Sequence, residues 1–355
     1  MSEVMPPVPS QTPDESVPTP VEAAPVSEVP LTPVQPDTRK RRRRYILAML
    51  GVALLCSILL WVSYLTTHQP LGLPVAQVAA KAIQPRYLFS ILDVTYPIGL
   101  AVSPDGNRVY VGETQGERAI LVYDRDGKFL NKFVVPNTNP ASSVPVSMDL
   151  DPQGRLFVTD SLRRSIDIYN AGGNYQKSIA SPFPDGWAPI GVRFDGNNIL
   201  VTDQSPQNHR VLTLTTAGKL LSTTGHYGEG TGREGFHSPR MAVTDRQGRM
   251  YVSDSNNNRV AVFSKAGNFI YDIGGFSAPH GMAIDDDQKL YVVDTIDQSV
   301  KVYDVSKNQA SPLFSFGDEG SGNGQFEYPE DIAIDGTGRL YITDRANNRV
   351  QVWTY

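Results

Sequence analysis

The sequence contains a single cysteine, Cys56, among its 355 residues. Intramolecular disulfide bonds are therefore excluded, and the folded part of the chain must be held together by packing and hydrogen bonds. The first 38 residues also lack Lys, Arg and aromatic residues, although they hold ten of the 27 prolines. Such a segment cannot bury enough apolar surface to offset the entropy lost on folding. We expect residues 1–44 to be a disordered Pro-rich tail that ends in a basic cluster.

Charged residues are also missing from residues 45 to 65, YILAMLGVALLCSILLWVSYL, which directly follow the basic cluster RKRRRR at residues 39 to 44. A helix of about 20 apolar residues can cross the hydrocarbon core of a bilayer, so we predict a transmembrane helix over residues 45–66. A signal peptide, the alternative, has a shorter apolar region and a small-residue cleavage site. Because Lys and Arg beside a span stay on the cytoplasmic side, we expect a single-pass cell-membrane protein with an extracytoplasmic C-terminal part.

The exported part has no excess of positive charge. Residues 85 to 355 carry 25 basic and 31 acidic residues, a net charge of −6. Since nucleic-acid binding relies largely on basic contacts with phosphates, we do not expect a nucleic-acid partner. The same part has neither disulfides nor Asn-x-Ser/Thr sequons, which favours a prokaryotic cell envelope.

Six copies of one pattern fill residues 85–355, with a period of about 40 to 50 residues. Each copy begins at a proline: Pro97, Pro145, Pro189, Pro239, Pro279 and Pro329. A short apolar strand is followed by a tight turn in which Gly or Asn adopts positive φ, and then by further strands. Four antiparallel strands per copy, arranged radially, predict an all-β fold, a β-propeller.

The fourth and sixth copies share Pro, an apolar pair, Asp, Gly-Arg, Tyr, Asp and Asn-Arg-Val, as in YPEDIAIDGTGRLYITDRANNRVQVW. With the linkers GHYGEGTGREGF and FGDEGSGNGQF, these motifs resemble the NHL repeat. The Gly-His and Trp-Asp signature of WD40 repeats is absent. The resemblance implies a six-bladed NHL-type β-propeller over residues 85–355, with residues 67–84 as a stalk.

The sixth copy lacks a fourth strand of its own, because only Thr354 and Tyr355 follow RVQVW. An unpaired strand edge is a liability that natural folds usually cover. Residues 86–94, RYLFSILDV, precede the first copy and resemble PLFSFGDEG, which follows the third strand of the fifth. We therefore predict that residues 86–94 pair with residues 349–355 and close the ring.

An acidic residue ends the second strand of every copy: Glu113, Asp160, Asp203, Asp254, Asp294 and Asp344. Because these residues repeat at equivalent places, we expect them to cap turns or to pair with arginines such as Arg259, rather than to form a site. A site that acts once should instead break the symmetry of the repeat.

The residue after each leading proline breaks the symmetry of the repeat. In the first three copies this residue is apolar, and in the last three it is Arg240, His280 and Glu330, with Asp331 beside the last. At one mouth of the central channel these four side chains could hold a polar or zwitterionic ligand. A channel mouth that merely tolerates polar residues is the alternative explanation.

The favoured function is a binding scaffold or sensor, because binding residues usually lie on loops held by a rigid scaffold. The expected partner is a protein, a peptide or a cell-envelope glycan, and Trp187 and Tyr227 are candidate surface contacts. Since six-bladed propellers with similar repeats include metal-dependent lyases and lactonases, the resemblance implies such an enzyme as the alternative. For its metal the inner ring offers one histidine, His280, while His226 and His237 lie in the connection that enters the neighbouring blade. We predict no catalytic residue, metal site or cofactor.

Overall fold

The computed structural model describes residues 47–59, 62, 83–135, 140–228 and 234–355. Two compact units divide the chain, Met1–Gln77 and Val78–Tyr355. In the first unit, residues 47–59 are helical. None of the helices described is both long and apolar enough to cross a membrane. The predicted tail, the ends of the predicted span 45–66 and nearly all of the predicted stalk lie outside the described residues, so these assignments stay predictions.

The second unit is built from strands. In chain order they are β1 Arg86–Ile91, β2 Pro97–Val102, β3 Val109–Glu113, β4 Ile120–Tyr123, β5 Phe129–Phe133, β6 Pro145–Leu150, β7 Leu156–Asp160, β8 Ser165–Tyr169, β9 Tyr175–Ile179, β10 Pro189–Asp195, β11 Asn198–Ser205, β12 Asn208–Thr215, β13 Leu220–Thr224, β14 His226–Tyr227, β15 Gly235–Phe236, β16 Pro239–Thr244, β17 Met250–Asp254, β18 Arg259–Phe263, β19 Phe269–Ile273, β20 Pro279–Ile284, β21 Lys289–Asp294, β22 Ser299–Asp304, β23 Ser311–Phe316, β24 Asp318–Glu319, β25 Gln325–Phe326, β26 Pro329–Ile334, β27 Leu340–Asp344 and β28 Arg349–Thr354. Short 3₁₀ helices lie at Pro140–Ser142 and Ser255–Asn257.

These strands form six four-stranded antiparallel sheets, one for each predicted copy. Blades 1 to 5 are β2–β5, β6–β9, β10–β13, β16–β19 and β20–β23, and blade 6 has the order β1-β28-β27-β26. The short pairs β14–β15 and β24–β25 are parallel and precede blades 4 and 6. The predicted all-β six-bladed propeller is confirmed.

The turns form as the sequence pattern indicates. Between β16 and β17, Asp245 accepts hydrogen bonds from the backbone N–H groups of Gln247 and Arg249 at 2.9 Å, and Gly248 adopts a φ of 76°. A side chain at that φ would be strained, so glycine is the residue that this turn requires. A short polar acceptor and a glycine therefore reverse the chain at the end of an inner strand.

The ring is closed by strands from the two ends of the unit. β1 pairs antiparallel with β28, with Ile91 opposite Val350 and Tyr87 opposite Trp353. The Tyr87 and Trp353 rings meet edge to face, with centroids 6.1 Å apart. The outer strand of blade 6 thus comes from the segment before blade 1, which is the closure that the sequence predicts.

The repeated acidic residues are structural. Asp203, Asp254 and Asp344 pair with Arg210, Arg259 and Arg349 at 2.9, 2.9 and 2.6 Å, and Asp294 pairs with Lys301 at 2.8 Å. Each of the six carboxylates also accepts a backbone N–H from the segment that enters its blade: Thr95, Val144, Ala188, His237, Ala278 and Glu327. These bonds hold the connecting segments against the blades.

Candidate functional site

One end of the central channel is lined by the residues that follow the leading prolines. There, a cavity of about 60 Å³ is bordered by Ile98, Val146, Ile190, Arg240, His280 and Glu330, together with Ser147, Met241, Gly281 and Asp331. We call this end the upper mouth. Half of its rim is apolar and half is polar, because the repeat symmetry is broken in blades 4 to 6.

Glu330 is the centre of the polar half. Arg240 Nη2 and His280 Nδ1 lie 3.2 and 2.7 Å from Glu330 Oε2. Burial alone would raise the pKa of Glu330, but the hydrogen bond from His280 and the nearby positive charges outweigh it, and the pKa lies below its usual value. Glu330 is therefore an ionised carboxylate at neutral pH.

His280 is neutral in this setting. Burial, followed by the charge of Arg240, lowers its pKa, although the contact with Glu330 opposes the shift. An ionised carboxylate can only accept hydrogen bonds, so the 2.7 Å contact assigns the proton to Nδ1 of His280 and leaves Nε2 as an acceptor. The 3.4 Å approach of Arg240 Nη2 to the same Nδ1 is then not a hydrogen bond.

Arg345 completes the cluster and was missed by sequence reasoning. Its Nε lies 3.0 Å from Glu330 Oε1, and its guanidinium lies over the Tyr328 ring at 5.3 Å. The signal was present in the repeat: the residue after the repeated acid is Thr114, Ser161, Gln204, Ser255, Thr295 and Arg345 in the six copies. Only Arg345 is charged among these six residues, so a search for departures from the repeat at this position identifies it.

The cluster carries a net positive charge. Two arginines surround one carboxylate and one neutral imidazole, and the side chains of Arg240 and Arg345 remain 29% and 31% exposed. A guanidinium has five N–H donors, so both arginines retain donors beyond their contacts with Glu330. The upper mouth is therefore suited to a carboxylate or another anionic group.

Asp331 lies on the channel side of this cavity. Its Oδ1 pairs with Arg193 Nη2 at 2.6 Å, and its Oδ2 accepts from the backbone N–H of Leu100 at 3.3 Å. Arg193 also donates to the Met148 carbonyl at 3.0 Å. Asp331 lines the same cavity as the other three predicted residues, but its carboxylate is already paired with Arg193 inside the channel.

Trp187 is not a surface contact, contrary to expectation. It is buried in the cluster between blades 2 and 3, and its Nε1–H donates to the Arg164 carbonyl at 2.6 Å. Tyr227 is exposed, and its ring meets those of His209 and His237 edge to face at 4.8 and 5.7 Å. The sequence suggested an exposed residue because Trp187 lies in a proline-rich connection between blades.

The described residues do not assemble a metal site. No three or more His, Cys, Asp or Glu side chains in that part of the chain are grouped to hold a metal ion. His226 and His237 do not line the upper mouth, which contains His280 alone of the three. Among the described residues, the upper mouth therefore offers one histidine, whereas a catalytic zinc site usually has three protein ligands.

Comparisons with known proteins agree with this architecture. Residues 326–353 match the profile of the NHL repeat. NHL repeat-containing protein 3 of Homo sapiens is 25% identical over 182 residues, which cover 47% of this chain and 51% of that protein. The mouse protein of the same name is 24% identical with the same coverage. The chain thus spans about half the length of the curated relatives it matches.

Solved structures share the propeller fold at low sequence identity. A streptogramin B lyase has a TM-score of 0.56 and 16% identity, and the match covers 76% of this chain and 98% of that one. Virginiamycin B lyase from Staphylococcus aureus has a TM-score of 0.54 and 18% identity, with 77% and 99% covered. A chain of a nidogen/laminin complex has a TM-score of 0.53 and 20% identity, with 63% and 80% covered. At these identities the likeness concerns the fold alone.

Proposed function

We propose that this NHL-type propeller is a binding module whose ligand site is the upper mouth. The observation that carries the proposal is the net positive charge of Arg240 and Arg345 around Glu330, opposite an apolar half-rim. A cavity of about 60 Å³ admits a single chemical group rather than a whole ligand. The favoured partner is a protein or peptide that inserts a carboxylate next to a small apolar group, while an acidic cell-envelope glycan is the alternative source of the same group.

The setting belongs to the same proposal. The chain is anchored by residues 45–66 in a cell membrane, with the N-terminal tail in the cytoplasm and the propeller outside it, where it acts as a scaffold or sensor. The basic cluster at residues 39 to 44 and the uncharged run that follows support this topology. Protease added to intact cells should digest the propeller and spare the tail, and the opposite pattern would overturn the topology.

A second candidate, a propeller enzyme, is favoured by one feature. His280 is neutral and bonded to a carboxylate that orients it, which is the arrangement of a general base. Two of the solved structures with this fold are lyases, and a lyase is the enzyme class of this second candidate. Stoichiometric metal in the purified chain that is lost in His280→Ala would support the enzyme over the scaffold.

The experiment for the binding proposal uses two short probes that differ in one group. Calorimetric titration of the full-length protein with acetyl-Ala-Ala should show saturable binding, and the C-terminal amide of the same peptide should bind far more weakly. Because a hydrogen bond to a charged group contributes about 1.5–3 kcal/mol, Arg240→Gln should lower the affinity roughly tenfold or more.

Arg246→Gln is the matched control, since Arg246 is an exposed arginine that pairs with Asp286 on the surface and does not line the upper mouth. Its affinity for acetyl-Ala-Ala should equal that of the wild type. Equal binding of the acid and the amide, or equal losses in the two variants, would contradict the proposal.

A further inference from the structure

The opposite end of the channel contains a much larger cavity. The inner strands β2, β6, β20 and β26 run from the upper mouth to their last residues, Val102, Leu150, Ile284 and Ile334. All four of these residues line a cavity of about 810 Å³, which we call the lower pocket. This volume lies within the range of about 300–1,000 Å³ of small-molecule sites.

The lower pocket continues into the channel. A second cavity of about 200 Å³ shares Val102, Asp149, Ile284 and Ile334 with it, so the two spaces are adjacent. The walls that they share are mainly aliphatic. The buried pair of Arg193 and Asp331 lines the channel between this space and the upper mouth. A ligand would therefore enter from the lower end and place an apolar portion against these walls.

The charge of the lower pocket is strongly unbalanced. Five carboxylates line it, those of Asp149, Asp285, Asp286, Asp287 and Asp335, and Lys289 is the one cation among the described residues that line it. Asp286 also pairs, at 3.0 Å, with Arg246, which does not line the pocket. Lys289 Nζ lies 3.1 Å from Asp287 Oδ2 and 3.7 Å from Asp285 Oδ2, so its charge is already paired with two of these carboxylates. Two aromatic hydroxyls, those of Tyr291 and Tyr355, contact each other at the edge of the same space. The lining of the lower pocket therefore carries a net negative charge.

Asp149 is the acidic group that lies deepest, because it alone of the five lines both cavities. Its carboxylate accepts from the backbone N–H groups of Phe194 at 2.8 Å and Leu150 at 2.9 Å. Arg193 is near, but its ion pair is with Asp331. Burial raises the pKa of Asp149 despite the charge of Arg193, so a cationic partner beside the carboxylate would relieve the cost of keeping it ionised.

We propose that the lower pocket binds a small organic cation, a protonated amine with an apolar body. The amine pairs with Asp149 at the inner end of the pocket, and the apolar body lies against the aliphatic side chains of Leu150, Ile284 and Ile334. The rim carboxylates add a field that attracts positive charge into the pocket. The site is separate from the upper mouth in position and opposite to it in charge, so it does not depend on the function proposed there.

The test uses monodansylcadaverine, a fluorescent primary amine on a short alkyl chain, and its N-acetyl derivative, which keeps the body and lacks the charge. Titration of the full-length protein should give saturable binding of the amine with a blue-shifted emission, and the acetyl derivative should bind at least about tenfold more weakly, as expected for loss of a charge-assisted contact. Equal affinity of the two probes, or no saturable binding of the amine, would overturn the proposal.

Two variants in the pocket and one control variant outside it locate the site. Asp149→Asn should weaken the amine roughly tenfold, and Asp185→Asn, which removes an exposed carboxylate that does not line the pocket, should leave it unchanged. Because Asp149→Asn could disturb the fold, Ile284→Lys provides an independent check by placing a cation within the pocket, and it should abolish amine binding. Thermal melting of each variant identifies a loss due to unfolding. Folded Asp149→Asn and Ile284→Lys proteins that bind the amine as the wild type does would refute the site.

Discussion

Replacing Ile91 with Ala should destabilise the whole propeller, since this residue lies in the strand that closes the ring. Ile91 is 2% exposed and packs in a cluster that joins Val350 and Val352 of blade 6 to Leu100 and Val109 of blade 1. The change removes three buried carbons, which corresponds to about 2.4 kcal/mol at roughly 0.8 kcal/mol each. The cavity left behind adds to this, so we expect a loss of about 3 kcal/mol in the free energy of unfolding.

Urea unfolding followed by tryptophan fluorescence measures this loss, because Trp353 lies on β28 beside the closing strand. With a slope of about 3 kcal/mol per molar urea, the midpoint should fall by roughly 1 M. Leu92→Ala is the matched control, since Leu92 is the next residue and is 65% exposed, and it should change the free energy by less than about 0.5 kcal/mol. Equal midpoints for the two variants, or a deletion of residues 85–94 that melts like the wild type, would refute the closure as a source of stability.

Two further predictions follow from the contacts. Asp254→Asn should lower the free energy of unfolding in urea by roughly 3–5 kcal/mol, because it removes the buried carboxylate that pairs with buried Arg259. Asp272→Asn removes the half-exposed carboxylate on the same arginine and should lower it by at most about 1 kcal/mol. Similar losses in the two variants would contradict the structural role of the repeated acid. The pKa of His280 is lowered in the folded state by burial and by Arg240, so its contribution to stability is present above the unfolded value of about 6.5 and is lost as the pH falls below it. Between pH 7 and 5, His280→Gln should therefore lose less stability than the wild type, by up to about 1.4 kcal/mol per pH unit; parallel pH profiles would show that His280 is not neutral when folded.

The sequence determined the repeat and the closure. Pattern and turn chemistry are local: a leading proline, an apolar inner strand and an Asp-x-x-Gly turn such as that at Asp245 specify the same hairpin wherever they occur. The repeated acids were recognisable as structural for the same reason, and the missing strand of the sixth copy indicated its replacement by residues 86–94, of which Arg86–Ile91 form β1.

The candidate site was only partly predictable. Broken symmetry at one position of the repeat identified Arg240, His280 and Glu330, which the structure brings together at the upper mouth. Arg345 follows β27, the strand next to β26 in the same blade, and its Nε lies 3.0 Å from Glu330 Oε1. The repeat pattern marks Arg345 as the charged exception at its position, but its contact with Glu330 depends on the direction of the side chain, which only the structure gives.

The remaining features were decided by tertiary structure alone. Whether Trp187 faced a partner or a neighbouring blade depended on how blades 2 and 3 pack, and it is buried. Asp331 is paired with Arg193, 138 residues away, so its charge was satisfied by a residue from another blade. The lower pocket exists because the ends of inner strands from four blades meet around one axis. A sequence pattern records what each repeat contains, but cavities and charge balance arise from residues that only the closed ring brings into contact.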